Sequence, residues 1–117
     1  MSGRVSYENG RAAEARVAAH YASDGYAILA RRWRGKAGEI DLVVERDGEV
    51  VFVEVKASSS LTKAAIALTE RQIRRIYASA AQFIGFLPTG QETPSRFDVA
   101  LVDGTGRLEL LPNAIMP

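Results

Sequence analysis

Two apolar-rich runs, Ile40–Val44 and Val50–Val55, flank the step Asp47-Gly48, and this pattern organises the middle of the chain. Asp-Gly between alternating runs is a strong signal of a two-residue hairpin turn, because both turn positions need a positive φ. Strands are predicted from about Glu39 to Glu45 and from about Val50 to Lys56. With the turn at Asp47-Gly48, Val44 faces Val51, Leu42 faces Val53 and Ile40 faces Val55. Side chains alternate with period two along a strand, so these six apolar groups share one face, which a one-residue slip would ruin. The other face carries Val43, Val50 and Phe52 near the turn. At its far end the same register sets Asp41 opposite Glu54 and Glu39 opposite Lys56.

Helical spacing governs the flanking segments. Tyr7, Gly10, Val17, Ala18 and Tyr21 form one face of a helix from about Tyr7 to Ser23, with Gly25 as its stop. A strand follows from about Tyr26 to Trp33. Thr69-Glu70-Arg71-Gln72 matches a capping box, and Ile73, Ile76, Tyr77, Ala80 and Ile84 make the stripe of a second long helix. Short stretches rich in Ser, Gly or Pro, 57–60 and 85–95, read as loops. The last strands run from about Arg96 to Val102 and Leu108 to Leu111, with a turn at 103–106. The order is helix, three strands, helix, then one or two strands. That is an α/β plan, with a mixed sheet between helices in a single domain spanning residues 1–117.

Composition adds exclusions. At 117 residues, 47% apolar and 25% charged, the chain is long enough for one real core. Without cysteine, disulfides and thiolate metal sites are ruled out. No apolar run reaches the ~18 residues of a membrane span, and no signal peptide is visible, so a cytoplasmic location is expected. The net charge of +1 argues against a uniformly basic nucleic-acid binder, but the distribution is uneven. Arg31, Arg32, Arg34 and Lys36 form one basic cluster, and Lys63, Arg71, Arg74 and Arg75 a second. Arginine dominates both; its fork suits phosphate, although solvated faces would look the same.

The hairpin end is where chemistry concentrates. Carboxylates facing each other across a strand pair stand ~5 Å apart at the β-carbons, which is destabilising unless something offsets the repulsion. A shared proton, a Lys or Arg partner, or a divalent cation would do so, and two converging carboxylates suit Mg²⁺. Lys56, on the same face as Glu54, could pair with Glu39, contact a phosphate or position a water. Glu14 adds a carboxyl within the apolar stripe of the first helix, where it must be paired, bind a metal, or hydrogen-bond a Tyr hydroxyl or backbone group. The simpler alternative is an ordinary charged face with a Glu39–Lys56 ion pair.

Gly38-Glu39-Ile40-Asp41-Leu42 followed by Val51-Phe52-Val53-Glu54-Val55-Lys56 resembles the paired GEIDL and FVEVK motifs of the YraN-like family, uncharacterised protein family 0102. The likeness continues through most of the chain. Gly10 to Glu14 resembles the family's opening G-x-x-x-E, Gly25 to Leu29 its GY-x-IL strand, Arg96 to Val99 its RFDV, and Asn113-Ala114 its closing NA. That family is similar to Holliday-junction resolvases and other PD-(D/E)xK nucleases. The resemblance implies a restriction-endonuclease-like fold and metal-assisted phosphodiester hydrolysis with Mg²⁺ or Mn²⁺. It implies Asp41 and Glu54 as metal ligands, with the backbone carbonyl of Val55; Lys56 as the group that orients or activates water; and Glu14 as an auxiliary acid. Arg31, Arg32, Arg34, Lys36, Lys63, Arg71, Gln72 and Arg75 would contact the nucleic acid. The chain departs from the family pattern at Gln72, often Lys, at Ser58, often Arg, and at Arg32, often Asn.

Other residues carry weaker signals. His20 falls on the polar side of the first helix and reads as surface; Tyr77 and Phe83 read as core. Trp33 lies among arginines and could stack a base, although core or rim is the ordinary reading. Asp98, on a late strand, is a weak site candidate. Three functions compete: a metal-dependent nuclease on DNA, with branched or damaged forms implied; a non-catalytic nucleic-acid-binding module on a nuclease fold; and a protein-interaction adaptor. A junction resolvase would need two sites, hence a homodimer.

Overall fold

The computed structural model describes residues 2–57 and 69–114, with side chains from residue 10 onward. The elements are α1 (Ser2–Ser23), β1 (Ala27–Arg34), β2 (Glu39–Arg46), β3 (Glu49–Ala57), α2 (Glu70–Ile84), β4 (Ser95–Val102) and β5 (Leu108–Leu111). A short 3-10 turn, Gly90–Glu92, interrupts the loop predicted at 85–95. The strands form one sheet in the order β1-β2-β3-β4-β5. Of these pairs, β3 and β4 run parallel, which requires a crossover, and α2 lies on it. This is the predicted mixed α/β plan, and it matches a restriction-endonuclease-like core. Among the described residues no helix is long and apolar enough to cross a membrane.

Local signals set the element ends. Gly25, at φ +86, closes α1: its N–H bonds the Ala22 carbonyl, and Tyr26 N–H bonds the Tyr21 carbonyl at 3.0 Å. Those two bonds satisfy carbonyls that the last helical turn leaves open. Thr69 and Gln72 form the predicted capping box at the start of α2. Asp47 and Gly48 both take positive φ, at +54 and +84, as the two-residue turn demands.

The hairpin register is as predicted from Arg46–Glu49 to Leu42–Val53. Leu42, Val44, Val51 and Val53 pack beneath α1 against Ala13, Val17, Ala18 and Tyr21, with Val55 at the margin. The opposite sheet face packs on α2, where Val43, Val50 and Phe52 meet Ala80 and Ile84. Ile76 of α2 extends this layer onto Val99 and Leu101.

Ile40 departs from the reading that put it with Leu42. It packs in the α2 layer with Val43 and Phe52. The neighbouring strand changes faces at the same level. Arg32, between the Arg31–Leu42 and Trp33–Ile40 pairs, takes φ +50. A left-handed residue breaks the pleat and exchanges the faces beyond it. Ala30 and Trp33, three residues apart, accordingly both join the α2 layer.

Asp98 is an anchor of the fold. Only 1% exposed, it accepts hydrogen bonds from Tyr21 Oη at 2.7 Å, Asn113 N at 2.9 Å and Arg96 Nε at 3.0 Å. Arg96 extends the network to Glu49 and to the Tyr26 hydroxyl. The network ties α1, β4 and the segment after β5 together. Burial first, then the bond to Asp98, pushes the Tyr21 hydroxyl pKa up; the same carboxylate pushes that of Arg96 up. Trp33, Tyr77 and Phe83 are partly buried and pack against the α2 layer, and His20 is half-buried with its ring edge-on to Tyr21.

Candidate active site

The predicted juxtaposition of Asp41 and Glu54 forms, but not as a regular ladder pair. The β2–β3 ladder stops at Leu42–Val53. One residue further, at the kink, the Asp41 side chain takes the place of backbone pairing: its Oδ2 accepts from Val55 N at 2.8 Å. Glu54 is 7% exposed, and the Asp41 carboxyl lies close enough to raise its pKa. The two acids therefore meet where the hairpin opens.

Burial pushes the Glu54 pKa up to about 9, and the neighbouring Asp41 carboxyl adds to the shift. Lys56 and Arg75 act in the opposite direction. At neutral pH the pair holds a proton that two solvated carboxylates would have released. Two like charges cannot both be left bare in a buried site, so the proton offsets the repulsion.

Lys56 lies two residues along β3 from Glu54 and within electrostatic reach of it. It does not pair with Glu39 as the ordinary charged-face reading expected. Glu39 takes Arg34 as partner at 3.5 Å, across the β1–β2 pair. Opening of the hairpin removes the cross-strand neighbour relation between Glu39 and Lys56.

Arg75 reaches the site from α2. Its side chain crosses Gly38 so closely that a β-carbon there would stand 2.5 Å from Cδ. Gly38, at φ +151, has a backbone that favours glycine, and its carbonyl accepts from Ser79 Oγ at 2.9 Å. The first residue of the Gly38–Leu42 motif thus lets α2 approach. The sequence placed Arg75 in a basic cluster and among the expected nucleic-acid contacts; its position beside Glu54 depends on this contact, which no local pattern marks.

Glu14 is paired. Arg32 Nε contacts its Oε1 at 2.7 Å, so neither a tyrosine nor a backbone cap is the partner. The same contact commits Arg32, expected on nucleic acid, to α1. Glu14 and Asp41 nonetheless line one cleft of about 270 Å³, with Arg11, Arg31, Arg32 and Leu42. Among the described residues no group of three or more acids or histidines is placed to hold a metal. The donor set at the site is the Asp41–Glu54 pair.

The remaining predicted contacts are dispersed. Arg31, Lys36 and Arg71 are exposed, as is Arg34 with its bond to Glu39. Gln72 is otherwise employed: its Oε1 accepts from Thr69 N at 2.8 Å as half of the capping box. Lys63 and Ser58 lie outside the described residues.

The fold and site define an α/β protein with a half-buried acid pair and a lysine where a mixed sheet opens. The chain belongs to the Uncharacterised protein family UPF0102, whose profile matches residues 13–102. It is similar to a UPF0102 protein of Cereibacter sphaeroides strain KD131, 53% identical over 114 residues and covering 97% of each chain. A UPF0102 protein of Ruegeria pomeroyi is 55% identical over 105 residues, covering 90% of this chain and 85% of its own. One from Roseobacter denitrificans is 49% identical over 114 residues, covering 97% and 88%.

Proposed function

We propose that this protein is a metal-dependent phosphodiester hydrolase acting on DNA, with Asp41, Glu54 and Lys56 as its reacting centre. The observation that carries the reading is the carboxyl pair. Glu54 is buried, the partly buried Asp41 carboxyl beside it raises its pKa further, and Glu54 retains its proton near neutral pH, an arrangement that costs stability. The donor chemistry fits a hard divalent cation, because two convergent carboxyls that share a proton can exchange it for Mg²⁺ or Mn²⁺. Asp41 and Glu54 would hold the ion, with the Val55 backbone completing the set. When bound, it supplies Lewis-acid stabilisation of charge on the phosphoryl oxygens.

The chain's own groups do the rest. Val55 N–H fixes the Asp41 carboxylate. Lys56, with its ammonium in the field of Glu54, orients a water toward phosphorus. The water oxygen forms the new P–O bond, the ester P–O bond breaks, and the water's proton ends on the departing oxygen. Arg75, lying over Gly38, presents a charge to the strand beside the site. The exposed Arg31, Arg34, Lys36 and Arg71 contribute sequence-independent phosphate attraction, which falls with rising salt. A location in the cytoplasm, with access to DNA, belongs to this reading.

The test is cleavage of linear duplex, single-stranded and four-way-junction DNA with Mg²⁺ or Mn²⁺, beside the Asp41→Asn variant. The reading expects metal-dependent products that vanish in the variant. Salt-sensitive binding without cleavage in either metal would instead make the protein a non-catalytic nucleic-acid-binding module.

A further inference from the structure

Phe86 is 74% exposed, far more than any other large apolar side chain among the described residues. It does not stand alone. Its ring lies 6.5 Å from that of Trp33, which packs edge-on against Phe83 at 5.3 Å. The ground beneath it is fixed: Gln82 Oε1 accepts from Lys36 N at 2.8 Å, tying the β1–β2 turn to the end of α2. Arg34 and Lys36, both exposed, lie one and three residues beyond Trp33 in the chain.

This patch connects to the acid pair. Trp33 is the cross-strand partner of Ile40, the residue before Asp41, so its α-carbon is within ~9 Å of that of Asp41. Along α2 and its C-terminal extension, Arg75, Ser79, Gln82 and Phe86 recur at intervals of three or four and face the β1–β2 turn. The row starts beside Glu54 and ends about 16 Å away at the exposed ring.

We infer that Phe86, backed by Trp33, is a stacking platform for an unpaired base on the strand that passes the acid pair. The inference rests on the nucleic-acid reading above and names its substrate class: DNA with a single-stranded segment beside the scissile phosphate. A rigid, exposed aromatic face in a cationic setting suits a base, which brings a π-face and a phosphate together. Duplex DNA offers no such face along its length, since its bases are already stacked.

Trp33 is the single tryptophan, so the site has its own fluorescence reporter. The experiment uses the full chain with Asp41→Asn and no divalent cation, so that no cleavage enters. An oligo-dT of about 16 nucleotides and a duplex of equal length are titrated at low salt. Single strands should quench Trp33 fluorescence more than duplex does. Phe86→Ala should lower single-strand affinity about ten-fold, leave duplex affinity unchanged, and be rescued by Phe86→Trp read by anisotropy. Equal single-strand affinity for the wild type and Phe86→Ala overturns the platform alone. Failure to bind either nucleic acid overturns the nucleic-acid reading with it. A concentration-dependent dimer that Phe86→Ala dissolves would assign the ring to a second copy of the chain and also overturn the platform.

Discussion

Replacing Glu54 with glutamine should stabilise the protein at neutral and alkaline pH. The native Glu54 pKa lies near 9 against an ordinary 4.5, chiefly because the carboxyl is buried. A group whose native pKa is raised binds its proton more tightly in the folded state. Its contribution is fully present below about pH 4.5 and is lost as pH climbs toward 9. Each pH unit inside that window costs ~1.4 kcal/mol, so between pH 5 and pH 8 the wild type should lose on the order of 4 kcal/mol through this group. The glutamine side chain cannot titrate, can donate its amide to Asp41, and should lose none of it. The assay is urea unfolding of both proteins at pH 5 and pH 8 without metal. The difference between them should grow in favour of Glu54→Gln by a few kcal/mol across that interval. A difference that is constant with pH, or that favours the wild type at pH 8, would refute the shared-proton account. Saturating Mg²⁺ should narrow the gap at pH 8, because it stabilises only the form that binds it.

Three further outcomes test the scaffold. Asp98→Ala should cost about 1–3 kcal/mol by chemical denaturation, because it leaves the buried Tyr21 hydroxyl and Asn113 N–H without their acceptor. Gly38→Ala should destabilise by about 1–3 kcal/mol and slow any cleavage, since the new β-carbon displaces Arg75. Thr69→Ala should cost about 1 kcal/mol by thermal melting, through the lost capping bond to Gln72 N.

Much of this architecture is legible without coordinates, for local reasons. The hairpin register follows from the positive-φ demand of Asp47-Gly48 and the alternation on either side. The α2 start follows from a cap whose partners are three residues apart. The meeting of Asp41 and Glu54 is readable from that register, but its form is not. The left-handed Arg32 carries no sequence mark, yet it stands opposite the point where Ile40 changes faces and the β2–β3 ladder ends. Glu14 shows the same limit: its burial follows from the helical stripe, but its partner comes from an edge strand eighteen positions on. Gln72 fits two patterns, a cap and a phosphate contact, and the adjacent backbone claims its oxygen. Arg75 reaches Glu54 only because Gly38 lacks a side chain, a tertiary circumstance that helical spacing does not encode.

The most direct test of the central claim measures single-turnover cleavage by Asp41→Asn and Glu54→Gln proteins that unfold no more easily than the wild type. The account predicts that both are folded, bind DNA at low salt, and cleave on the order of a hundred- to a thousand-fold more slowly in Mg²⁺ or Mn²⁺. Cleavage within a few-fold of the wild type in either variant would contradict it, and the acid pair would then not be the reacting centre.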